Sequence, residues 1–190
     1  MAGIPGRKSS SSGIAWRERI YHQPGIHTWS APPGGAEVEV IVIGGGGAGQ
    51  DQSSNSSLQD GGASSFGSFV TANGGQSGKD SSSGYVGGAG YDKGSDGYPS
   101  TYNYGPSKGG RGFMGIGAGG RGADKVSSAS YVQNNRGAGG GSGYVTTYTG
   151  KVRGDQTVTV GAGASSGGNG PGYGQSGMPG AVIVRWREIL

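Results

Sequence analysis

The chain has 190 residues, of which 48 are glycine, about a quarter against a usual share of roughly 7%. Hydrophobic residues make up 31%, and 15 Lys and Arg against 11 Asp and Glu give a formal net charge of +4. This length admits one domain with a short arm, the composition excludes a conventional thick apolar core, and the lack of cysteine excludes disulfides, thiolate catalysis and cysteine-based zinc sites.

The basic residues are scattered, so no nucleic-acid stripe is formed. No run approaches the roughly 20 apolar residues of a membrane helix, and residues 1–12 carry no apolar stretch of signal-peptide length. The expectation is a protein with no membrane insertion and no cleaved secretory signal.

Residues 1–12 read as a Gly/Ser arm. Residues 14–21 (IAWRERIY) follow, with Ile14, Trp16, Ile20 and Tyr21 set among charges, as a strand or a short docking segment. Residues 26–30 (IHTWS) give a short strand closed by an Ala-Pro-Pro-Gly-Gly turn, because paired prolines do not continue a ladder. The strongest strand is 37–43 (EVEVIVI), amphipathic at its start and apolar on both faces at its end. Residues 66–71 (FGSFVT) are a weaker candidate. Toward the C-terminus come 143–149 (GYVTTYT), 156–160 (QTVTV) and 181–186 (AVIVRW), each rich in β-branched residues. The turn at 150–155 suggests that the first two of these form a hairpin.

Glycine tracts fill the intervals, with irregular spacing that excludes a fixed-period solenoid. No long window combines a 3.6-residue period with good helix formers. A glycine run in the polyproline II conformation rises about 3.1 Å per residue with three residues per turn and packs backbone to backbone. Ordering each residue costs roughly 1–2 kcal/mol against about 0.5–1.5 kcal/mol per hydrogen bond, which favours oligomerisation as added support.

Residues 44–49 (GGGGAG) satisfy the dinucleotide fingerprint G-x-G-x-x-G directly after a strand. That site needs a helix N-terminus facing the pyrophosphate, and the following QDQSSNSSLQDGG has no helical face. No phosphate-binding G-x-x-x-x-G-K-[ST] is present, since Asp80 follows Gly78-Lys79 and Val152 follows Gly150-Lys151. Arg153-Gly154-Asp155, the cell-adhesion tripeptide, stands where ordinary turn chemistry is wanted. His22 and His27, the only histidines, have neither a cysteine nor a local carboxylate pair with which to build a metal site or a catalytic triad. The sequence therefore nominates no catalytic residue, metal or cofactor, and the protein reads as a non-enzyme.

Residues 81–111 differ in kind. Tyr85, Tyr91, Tyr98, Tyr102 and Tyr104 stand among Gly, Ser, Asn, Asp, Thr and Pro, with Lys108 and Arg111 close by. This is the composition of a paratope, in which tyrosine supplies area at low entropic cost and small polar residues adapt their hydrogen bonds. Tyrosines that plug gaps between glycine runs account for the same composition.

Three sets of residues in order, HTWSAPPGGAEVEVIVIGGGGAG, then GGGSGYVTTYTGKVRGDQTVTVGAGA, then GMPGAVIVRW, resemble the glycine-rich domain of tailed-phage tail fibres and minor tail proteins, such as those of phages infecting mycobacteria and related actinobacteria. The resemblance spans about residues 26–187. It implies a virion protein at the tail tip or fibre, made in the host cytoplasm, forming a homotrimer and contacting other phage tail proteins and a host-surface glycan or envelope component. It also suggests likeness of style to the adhesins of T-even-type long tail fibres, whose glycine runs pack as polyglycine helices. The tracts here are fewer and less regular than in those adhesins, which speaks against a layered polyglycine sandwich.

The expectation is thus an all-β fold in two parts. An arm over residues 1–25 carries Ile14, Trp16, Arg17, Arg19 and Tyr21 for docking to the tail. A glycine-rich domain over residues 26–190 forms a small β-sandwich-like sheet from terminal strands, with extended, polyproline-II-like loops between them. The Tyr-rich segment then serves host adsorption. A purely structural tail-assembly protein is the alternative. An ice-binding or secreted glycine-rich protein would show tripeptide repeats and often disulfides, and an envelope-degrading enzyme would need carboxylates that the sequence does not single out.

Overall fold

The computed structural model describes residues 15–50, 59–81, 84–94, 108–122, 126–128, 131–133, 140–166 and 174–188. Within them the protein is a β-sandwich whose strands run on into a packed bundle of glycine tracts. Twelve strands are formed: β1 (Arg17–Tyr21), β2 (Gly25–Ser30), β3 (Ala36–Ile43), β4 (Ser64–Phe66), β5 (Val70–Ala72), β6 (Lys79–Ser81), β7 (Gly84–Val86), β8 (Val126–Ser128), β9 (Tyr131–Gln133), β10 (Val145–Val152), β11 (Asp155–Val160) and β12 (Ala181–Glu188).

One sheet has the order β1-β12-β3-β10 and the other β2-β11-β4-β5, while β6-β7 and β8-β9 are small separate hairpins. Every pairing is antiparallel. Period-two alternation puts Ala36, Val38, Val40 and Val42 of β3 and Val182 and Val184 of β12 on the inner face of the first sheet. Trp29, Phe66, Val70, Val158 and Val160 meet them from the second. At the centre Trp29 lies edge-on to Phe66 at 5.6 Å and to Trp186 at 5.7 Å, a geometry favoured by aromatic quadrupoles. The all-β, sandwich-like fold expected from the sequence is the fold observed.

The hairpin expected around residues 150–155 is not formed. β10 pairs with β3 in the first sheet, whereas β11 pairs with β2 and β4 in the second. The turn is a corner between sheets, with Gly154 in the left-handed region at φ +67° and the Ala31 N–H donating to its carbonyl at 3.3 Å. Two adjacent strands with inward valines at Val152 and Val158 satisfy a sandwich by facing each other across the core as readily as by lying side by side. Residues 66–71 also resolve differently: β4 and β5 are themselves a hairpin through a turn at Gly67.

At the Ile43, Ser64, Ala72, Val145, Val160 and Ala181 ends, six strands continue into glycine tracts. The tract at 44–49 lies at the centre, and its backbone bonds repeat every third residue. Gly44 and Gly47 donate to Tyr144 and Gly141, Gly45 and Ala48 to Gly62 and Gln59, and Gly46 and Gly49 to Met178 and Gln175. Three tracts running the opposite way thus take its N–H groups in rotation. Three others, running the same way, give theirs: Gly75 and Gly78 donate to Gly45 and Ala48, Ala164 to Gly46, and Gly120 to Gly47.

This 120° rotation per residue is the threefold screw of polyproline II, here in a hexagonal packing of one helix by six. Glycine is required by the spacing. A methyl on Gly44 or Gly47 would lie 2.0 or 2.1 Å from the carbonyl oxygen of Asn73 or Gln76, and one on Gly46 or Gly49 would lie 2.0 Å from that of Ala118 or Arg121. The irregular spacing of the tracts in sequence does not prevent a lattice, because the excess length leaves it between tracts. All of these bonds are made within one chain, so each buried donor gains the partner that an unpaired one would lack.

The buried Ser64 hydroxyl ties the sandwich to the lattice, accepting from the Gly161 N–H at 2.9 Å, and within the lattice the Asp60 carboxylate accepts from the Ser77 N–H at 2.8 Å. Ser64→Ala is expected to cost about 1–3 kcal/mol in urea denaturation, because it strands the Gly161 donor in a dry site.

Candidate functional site

The register fixes the two poles of the molecule. Arg17 pairs with Trp186, and Glu188 with Ala36, so the first and last described residues of the sandwich lie together at the end away from the glycine lattice. The lattice tracts end at the other pole. Gln59 bonds beside Ala48, Gly78 beside Ala48, and Gln175 beside Gly49, while Gly140 bonds to Gly120. The chain therefore leaves after residues 50, 78, 122 and 166 and re-enters at 59, 87, 140 and 174 on the far side from the sandwich. The β6-β7 and β8-β9 hairpins belong to two of these excursions.

Of the expected recognition residues, Tyr91 and Arg111 are brought together on the flank of the lattice. The exposed Tyr91 ring meets Phe113 edge-on at 5.9 Å. Its neighbour Asp92 accepts from the Arg111 N–H through Oδ2 at 2.7 Å and donates its own N–H to the Ser142 hydroxyl at 2.9 Å. Asp92, Phe113 and Ser142 were not singled out in the sequence, where nothing but the adjacency of Asp92 to Tyr91 signals them; the contact spans 50 residues between Asp92 and Ser142. Beyond Phe113 the chain reverses tightly, with Met114 at φ 52° and 81% exposed. Lys108 is exposed at the start of the same segment. Tyr85 lies in β7, and Tyr98, Tyr102 and Tyr104 lie outside the described residues.

The expected docking residues are placed at the edge of the first sheet. β1 pairs with β12 along its whole length, so Arg17, Arg19 and Tyr21 belong to the sandwich. Ile14 lies outside the described residues. Trp16 is half-exposed beneath the Arg187 guanidinium, 5.4 Å from its ring centre. Arg17 bridges to Glu188 at 3.1 Å, Arg185 to Glu18 at 2.9 Å, and Arg187 to Glu37. These pairs are largely solvated and contribute little individually.

Tyr21 is the exception in burial. Its hydroxyl donates to the Thr28 carbonyl at 3.1 Å, which joins the edges of the two sheets. Burial raises its pKa above the ordinary value of 10.0, and the nearby Arg19 charge partly opposes the rise. A folded-state pKa above the unfolded one means that the native state holds the phenol proton more tightly. The contribution is complete below pH 10 and is lost as pH rises through the folded value. Alkaline denaturation monitored by urea midpoint is expected to show a fall above about pH 10 that Tyr21→Phe flattens.

Among the described residues no helix is long and apolar enough to cross a membrane, and no three His, Asp or Glu side chains gather as metal ligands. Compared with protein-family models, with curated proteins and with solved structures, the chain finds no match.

Proposed function

We propose that the protein is a structural component of a phage virion, at the tail tip or fibre end, and that it takes part in recognising the host surface. The observation that carries this reading is the polarity of the molecule. Both ends of the described sandwich meet at one pole, and the polar excursions leave the lattice at the other. The pole with Trp16, Arg17 and Glu188 is the natural face for other tail proteins, with a homotrimer as the assembled form. The Gly/Ser/Tyr-rich segment between Gly94 and Lys108, whose described ends adjoin the flank carrying Tyr91 and Arg111, is the candidate contact for a glycan or envelope component.

The lattice suits the role physically. A lattice whose interior is mostly backbone carries most of its side chains at its margins, and sequence there changes without touching the packing. No catalytic constellation is invoked.

Tyr98, Tyr102 and Tyr104 replaced together by alanine are expected to reduce host adsorption several-fold while particles assemble normally, read by counting unadsorbed phage. Unchanged adsorption removes the recognition role. Loss of incorporation into particles, with adsorption per assembled particle unchanged, assigns the segment to tail assembly instead.

A further inference from the structure

The corner where β1 turns into β2 encloses a shallow recess of about 270 Å³, lined by Arg19, Tyr21, His22, Gln23, His27 and Thr28. It holds both histidines of the chain and an arginine unlike its neighbours. Arg17, Arg185 and Arg187 each meet a carboxylate. Arg19 has no carboxylate partner among the described residues and instead stacks over the Tyr21 ring, 5.0 Å from its centre.

A guanidinium placed over an aromatic face still has N–H donors at its edge for a bidentate acceptor. The floor is fixed. Tyr21 is tied through its hydroxyl to Thr28, and its ring meets His27 at 5.4 Å. The His27 Nε2–H donates to the Gln23 carbonyl at 2.8 Å, which settles the tautomer and leaves Nδ1 for a ligand. That nitrogen accepts from a hydroxyl when the ring is neutral and donates to an anionic oxygen when it is protonated.

We propose that this recess binds a phosphate group, with Arg19 and the imidazoles of His22 and His27, which line it together, holding the phosphate oxygens. Phosphate fits because one arginine and two histidines line the same recess, with no described carboxylate among the lining residues to repel it. The inference stands on this corner alone and does not depend on the tail-protein reading.

The test is a titration of the full chain with glucose 1-phosphate, glycerol phosphate and inorganic phosphate, following the side-chain NMR signals of His22, His27 and Arg19. The expected result is saturable shifts confined to this corner, with at least tenfold weaker binding in R19Q and no change in R17Q. Both variants should retain the wild-type β-sheet circular dichroism. Absence of saturable shifts in the wild type overturns the site, as does R19Q binding as tightly as the wild type. Inorganic phosphate binding as tightly as the two organic phosphates assigns the recess to free phosphate, and tighter binding of the organic phosphates assigns it to a phosphate carried on a sugar or polyol.

Discussion

Gly47→Ala is expected to abolish cooperative folding of the lattice, whereas Gly115→Ala is expected to cost little. At Gly47 a methyl would sit 2.1 Å from the Gln76 carbonyl oxygen and 2.3 Å from its carbon, deep inside van der Waals contact with backbone. Relief by a rotamer change is impossible, because the obstacle is main chain. Movement of the Gln76 tract is opposed as well, since the Gln76 N–H and carbonyl are bonded to Ala89 and Gly141. Ordinary overpacking of a core costs roughly 1–3 kcal/mol; here the loss is expected to exceed about 3 kcal/mol.

At Gly115 nothing lies within 4 Å of the added carbon, and φ is +81°, so the only penalty is the left-handed backbone, about 1–2 kcal/mol. Parallel thermal melts of the two variants decide the matter. Equal midpoints would mean that the lattice has slack the spacing does not show.

Trp29→Ala is the second large effect, expected at about 3–5 kcal/mol. Trp29 is 1% exposed and touches both Phe66 and Trp186, so its removal opens the centre of the sandwich. Its indole Nε1 is buried and makes no hydrogen bond, a standing cost of burying a polar donor. Trp29→Phe loses ring area but also removes that donor, and it should fall well short of the alanine loss. Urea midpoints of the three proteins provide the measurement. A phenylalanine variant as unstable as the alanine one would show that the full indole shape, rather than apolar burial, holds the sheets together.

The strands were legible where side chains alternate. Residues 37–43 read as a strand because Val38, Val40 and Val42 recur at period two, and β3 covers Ala36–Ile43. The segments at 26–30, 156–160 and 181–186 lie within β2, β11 and β12 for the same reason. Which strands pair was not legible. The inward valines of β10 and β11 are compatible with neighbours in one sheet or partners across two, and the choice rests on contacts far away in sequence.

The lattice was legible only as a possibility, because glycine carries no side-chain pattern from which register is read. Its order is set by what each tract lies beside, and that is invisible along the chain. For the candidate site, Tyr91 and Arg111 share one flank, which the stretch of sequence between them does not show. Phe113 lies two residues after Arg111, while Ser142 comes from another tract. The recess around Arg19 is not legible in the sequence, where its residues fall in an arm and in a separate strand.

The threefold rotation of the bonds in residues 44–49 gives the lattice a reading frame. Inserting one residue into a tract would turn every later N–H by a third of a revolution toward the wrong neighbour. Two would do the same in the other sense. Three would restore all directions and advance the tract by about 9 Å, enough to lengthen it by one layer. Relatives of this chain should therefore differ freely in the length of their excursions, while inside the tracts insertions and deletions come in threes.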